Sequence, residues 1–193
     1  MNEAPPDAVE LLRVTTTDHR SPFRLICFPS TLDTPVSYLA LADLLLPTVE
    51  VLAVRYQEAP PGPARIPDTE RLAAQCYAAL SGWTDRPIAM LGHRAGAYLA
   101  FRVAAQLERE AGVPVTTLFV MERDAPPVTA GDPPLRGRIV AVAAGRQTVG
   151  QGWQAYTESE FLVEHLPARS DHRGFGTALA NLIHDELLGF HGE

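Results

Sequence analysis

The pentapeptide Gly92-His93-Arg94-Ala95-Gly96 has the spacing of a turn that presents one side chain for chemistry. It follows the apolar run Pro87-Ile88-Ala89-Met90-Leu91 and precedes an amphipathic segment that begins at Tyr98. Glycines flanking such a strand-turn-helix let the chain turn sharply and lift the central residue above the sheet. A hydroxyl or thiol there becomes an acyl-transfer nucleophile. The central residue here is Arg94, whose guanidinium stays protonated and has no lone pair to attack a carbonyl. At a helix start it suits another chemistry, because the helix dipole and the guanidinium both favour an anion, either a carboxylate or a phosphate. It could equally fill the space by pairing with Glu122 or Asp124. An ordinary turn between strand and helix can also carry Gly-x-x-x-Gly, so the flanking elements carry the decision.

Those elements alternate. Residues 23–28 read as a strand stopped by Pro29, and a helix follows to Leu46 with Thr34 as its N-cap and Pro35 in its first turn. Strands are expected at 49–54, 88–91, 115–121, 139–143 and 161–166, with a possible edge strand at 9–16. Helices are expected from Asp68 to Leu80, over 97–111 and over 175–188, with a short one around Trp153. Continuous apolar strands separated by helices imply a mostly parallel sheet covered on both faces, an α/β three-layer sandwich. No repeat or boundary divides the chain, so residues 1–193 read as one domain. The stretches 59–63 and 126–134 are Pro-rich loops.

Composition narrows the function. The chain has 193 residues, a formal charge of −7 and 46% hydrophobic residues. No basic stretch offsets that charge, which argues against nucleic acid as a partner. All 16 basic residues are arginine, so lysine Schiff-base chemistry, a P-loop lysine and pyridoxal phosphate attachment are excluded. Cys27 falls in a central strand and Cys76 on a helix, which fits buried free thiols better than a disulfide. His19, His165, His184 and His191 lack metal-ligand spacing. No metal or other cofactor is expected. The start of the sequence carries no signal-peptide pattern and no run reaches membrane-spanning length, so a cytoplasmic location without membrane contact is expected.

In this order, the elements and motifs resemble the type II thioesterases of nonribosomal peptide and polyketide assembly lines, which have the α/β-hydrolase fold. Leu25-Ile26-Cys27-Phe28-Pro29 looks like the strand leading into their oxyanion loop, and residues 38–46 and 49–54 like the helix and strand that follow. Leu91-Gly92-His93, then Ala95-Gly96, matches their nucleophile elbow except at its centre. Leu118-Phe119-Val120 with Arg123 and Ala125-Pro126 resembles the next strand and loop, and residues 166–172 the segment bearing the catalytic histidine. The resemblance implies that Arg94 stands where the serine nucleophile would be. Ser30-Thr31-Leu32-Asp33 replaces the glycine-rich oxyanion loop, and Gly145-Arg146-Gln147-Thr148 carries no acid after the fifth family strand. Only residues 127–137 remain where a helical lid would sit, so the lid reads as deleted.

What the resemblance leaves of the triad is His172. It is either an inherited loop histidine without a partner, or a general base oriented by Glu122 or Asp124. Arg94, His93, Ser30 and Thr31 would line the ligand site. Three functions follow. The first is a chain that has lost hydrolysis and binds an acyl or peptidyl carrier protein, or another assembly-line protein. The second is a non-hydrolytic enzyme of isomerase or cyclase type, with His172 as base and Arg94 holding an anion. The third is a hydrolase with a displaced nucleophile such as Ser30 or Ser170, which no elbow activates. Lid loss would also expose apolar side chains at the ends of the fourth and fifth strands, inviting a homodimer or partner.

Overall fold

Strands that are apolar on both faces must be covered on both, and helices supply that cover here. The computed structural model describes residues 9–14, 21–30, 38–56, 66–126, 133–146 and 150–189. A seven-stranded sheet has the order β1-β3-β2-β4-β5-β6-β7. Its strands are β1 (Val9–Arg13), β2 (Phe23–Phe28), β3 (Val49–Tyr56), β4 (Ile88–His93), β5 (Val115–Met121), β6 (Arg138–Ala144) and β7 (Phe161–Leu166). All neighbours are parallel except β1, which runs antiparallel along β3 at the edge.

One face is packed by α2 (Ile66–Leu80) and α3 (Ala95–Gln106), whose Cys76, Phe101 and Val103 meet Ile26, Met90 and Val120. The other is packed by α1 (Leu39–Leu45) and α4 (His172–Gly189), through Leu41, Leu45, Phe175 and Ile183 against Leu25, Leu91 and Phe119. The three-layer α/β sandwich is therefore observed. Cys27 and Cys76 are both buried and unpaired. No helix among the described residues is long and apolar enough to cross a membrane.

The element boundaries shift for identifiable reasons. Helix α3 starts at Ala95, two residues earlier than expected, directly on the turn, and ends in a π-helical turn over Leu107–Ala111. Helix α4 starts at His172, three residues early, because the Gly174 N–H donates to the Asp171 carboxylate at 3.0 Å and caps the helix. The expected cap at Thr34 and Pro35 lies outside the described residues, as do Thr31 and 127–132.

One expectation is overturned. The carboxyl ends of β5 and β6 are not left bare, because Val120, Met121, Val142 and Ala143 are all buried. Met121 and Val142 lie in the cluster under α1 and α4, while the segment 150–157 packs beside α3 on the opposite face, with Val120 and Ala141. Within it Trp153 and Tyr156 are buried against Phe101, with Trp153 Nε1 donating to the Arg123 carbonyl and the Tyr156 hydroxyl to that of Pro126. The exposed large apolar side chains among the described residues are Leu39, Leu44, Val163 and Leu188, none of them on β5 or β6. The physical ground for association over that region is removed.

Candidate functional site

Between β2 and β4 the sheet changes its direction of growth: β3 is added on one side of β2 and β4 on the other. Loops leaving adjacent strands at such a switch point diverge and open a crevice at the carboxyl ends. A cleft of about 590 Å³ lies there. It is lined by Pro29 and Ser30 after β2, His93 at the end of β4 and Arg94 after it, Tyr38 and Leu41 at α1, and Phe175 and Leu179 on α4. Leu91 and Met121 contribute strand ends. The size suits a small organic ligand.

The turn that carries Arg94 is as sharp as the sequence suggests. Arg94 has φ 51° and ψ −113°, a conformation strained for any residue with a Cβ. A Cβ on Gly92 would lie 2.3 Å from the Ala97 Cα, and one on Gly96 would lie 2.2 Å from the Phe28 carbonyl oxygen. Only glycine lets α3 seat this closely on β2 and β4. The Arg94 N–H donates to the Met121 carbonyl at 2.9 Å, tying the apex to the end of β5.

Glu122 is the centre of the site. Its carboxylate accepts from Arg94 Nε at 3.0 Å, lies 3.2 Å from His93 Nε2, and pairs with Arg169 Nη1 at 3.3 Å. The Glu122 side chain is 6% exposed, against 61% for Arg94 and 44% for Arg169. Burial pushes its pKa up. The His93 hydrogen bond and the charge of Arg169, followed by the His93 charge and the Arg94 hydrogen bond, outweigh burial and hold the carboxyl below its usual range. For His93, burial and then the Arg169 charge lower the pKa, and Glu122 opposes without reversing them. The imidazole is therefore neutral near neutral pH. Its Nε2, also 3.0 Å from Arg169 Nη1, either donates to Glu122 or accepts from Arg169.

The other expected site residues separate. Asp124 turns away from the cleft, and its Oδ1 accepts from the backbone N–H groups of Gly150 and Gln151 at 2.9 and 3.1 Å. That contact anchors the 150–157 segment, so the structure does not bring Asp124 to His172. His172 lines the cleft from the first turn of α4, exposed, with no hydrogen bond or ion pair to another described residue. Glu122 is taken by the two arginines and His93, so the expected His172–carboxylate dyad is not formed. Asp171, next to His172, is engaged as the helix cap. Ser30 lines the cleft without a bonded base among the described residues. Burial raises the Cys27 thiol pKa, so that residue is an inert core thiol. Arg169 and Tyr38 belong to the site without having been singled out. Arg169 lay within the histidine-bearing segment, but nothing in its neighbours' types signals that it folds back onto Glu122.

The family model for the thioesterase domain matches residues 23–173. Thioesterase PikA5 of Streptomyces venezuelae is 34% identical over 171 residues, which cover 82% of this chain. The chain spans only 58% of that relative's length. Among solved structures, the wild-type Vlm2 thioesterase domain superposes with a TM-score of 0.71 at 16% identity, covering 92% of this chain and 97% of the other. BorB, a type II thioesterase from the borrelidin biosynthetic cluster, superposes with a TM-score of 0.70 at 21% identity, covering 96% and 98%. At those identities the two structures speak for the fold alone.

Proposed function

We propose that this chain, which belongs to the thioesterase domain family, does not hydrolyse thioesters and acts in a natural-product pathway by binding a carrier protein or another biosynthetic partner. One observation carries the reading: the strained elbow is intact, with Arg94 at its apex bonded to Glu122. A protonated guanidinium cannot form an acyl-enzyme. Among the described residues, the carboxylate closest to the elbow serves the arginines and His93 rather than His172, and no carboxylate is bonded to His172 to orient its ring. PikA5 is 34% identical and is named a thioesterase, which supports the thioesterase descent of the elbow.

The test is turnover of short acyl-pantetheine thioesters, together with binding of a phosphopantetheinylated carrier protein by interferometry. No hydrolysis above buffer and saturable carrier binding are expected. Turnover that vanishes in Ser30→Ala or Ser170→Ala would establish a displaced nucleophile and overturn the reading. A second reading is a non-hydrolytic isomerase or cyclase, favoured by the single cleft that holds both His172 and Arg94. It requires substrate conversion that His172→Ala abolishes.

A further inference from the structure

We infer that the cleft takes a free carboxylic acid with an apolar body, the carboxylate held between Arg94 and Arg169 and the tail laid over Leu41, Leu91, Phe175 and Leu179. This deepens the proposed function and rests on it only in taking the cleft as a ligand site. It holds whether or not thioesters are cleaved.

The first ground is charge. Two guanidiniums face one carboxylate, and burial together with the Arg169 charge keeps His93 neutral. The cluster therefore carries one net positive charge at the mouth of the cleft. A monoanion neutralises it, whereas a dianionic phosphate would leave excess negative charge beside Glu122. The second ground is unused donors. Arg94 engages Glu122 only through Nε, and Arg169 hydrogen-bonds only through Nη1, its guanidinium lying over the Phe175 ring at 5.2 Å. The Arg94 Nη groups and Arg169 Nη2 make no hydrogen bond to a described residue, and a guanidinium fork matches a planar carboxylate. Helix α3 begins at the cleft with no acidic residue in its first turn, so its dipole adds to the same attraction, whereas the α4 N-terminus is already capped by Asp171.

The third ground is shape. Behind the arginines the walls are apolar, from Leu41 on α1 to Phe175 and Leu179 on α4, and the space of about 590 Å³ reaches well beyond what a carboxylate alone would fill. A carboxylate on the surface of a partner protein has no tail to fill it. A free acid does.

Calorimetric titration of the intact chain with octanoate, octanamide and octyl phosphate tests this at about pH 8, where a phosphate monoester is a dianion. Octanoate should bind, octanamide should bind about ten-fold or more weakly, and octyl phosphate should bind no tighter than octanoate. Arg94→Gln and Arg169→Gln should each weaken octanoate about ten-fold while keeping a cooperative melting transition. If a variant does not fold, the acid-to-amide ratio on the native chain decides. No octanoate binding, equal affinity for acid and amide, or folded variants that bind octanoate as the native chain does would overturn the inference. Tighter octyl phosphate would overturn the carboxylate assignment. Thioester turnover alongside intact octanoate binding would defeat the non-hydrolysing reading and leave this one standing.

Discussion

At the residue scale, Glu122 and Arg94 hold one another in backbone conformations that neither would adopt freely. Glu122 has φ 53° and Arg94 φ 51°. The kink at Glu122 explains why two acids two positions apart part company: its carboxylate reaches the elbow, while Asp124 reaches the backbone of 150–151. The sequence offered both acids as partners for Arg94 and could not choose, because the choice is made by a backbone kink that residue types do not announce. Glu122→Gln should lower stability by about 1–2 kcal/mol, discounted for the exposure of both arginines, and a denaturant midpoint reads it directly. It should also lower the His93 titration midpoint further in NMR, since the hydrogen bond and charge that raise it are lost. Both folded-state pKa values lie below their ordinary ones, so the unfolded chain binds more protons. The stability they contribute is complete above the ordinary histidine value of 6.5, and it falls as the medium is acidified through that value and then through 4.5. In Glu122→Gln the decline below 4.5 should be shallower. Arg94→Gly should be more stable than Arg94→Ala by about 1 kcal/mol, because both lose the ion pair and only glycine relieves the strain. Equal stabilities would show that the turn stores none.

At the element scale the sequence was most legible where one physical requirement dominates. Residues such as Leu25, Ile26 and Cys27 leave no polar face, so β2 had to be an inner strand, and it is. The paired glycines were legible because the turn needs them sterically. Gly96→Ala drives a methyl into the Phe28 carbonyl, and Gly92→Ala drives one into the backbone of α3. Neither obstacle is a side chain that can rotate aside. Each variant should lose about 3 kcal/mol or more by equilibrium denaturation. A loss below about 1 kcal/mol would mean that α3 can lift off the sheet cheaply. Less legible was Arg24, one charge in an otherwise apolar strand. It is 2% exposed, bonded to Glu50 and Asp85 and to the Trp83 carbonyl at the amino ends of the strands, opposite the cleft. A strand pattern shows that such a charge needs partners without showing which distant residues supply them.

At the scale of the whole molecule, the short connection between Pro126 and Arg138 suggests bare apolar ends on β5 and β6, yet both faces of those strands are buried. Helix α4 packs over one face, and the connection at residues 150–157 packs beside α3 on the other, which residue types alone did not announce. Trp153 and Tyr156 looked like members of an isolated short helix, yet their rings complete the core with Phe101 at 5.9 and 4.8 Å between centroids. Their polar tips are satisfied by the backbone of the shortened loop itself, at Arg123 and Pro126. Asp124 reinforces the segment by accepting from Gly150 and Gln151. Trp153→Ala removes a fully buried indole and should cost about 3–5 kcal/mol, with Asp124→Ala losing about 1–2 kcal/mol through the two hydrogen bonds. If the segment is what shields the α3-side face of β5 and β6, Trp153→Ala should also bind a hydrophobic dye and associate with rising concentration, and the native chain should not do so through this surface. Light scattering on the two proteins under identical conditions separates the cases. Native-like scattering and dye binding in Trp153→Ala, despite the lost stability, would mean that another segment covers that face.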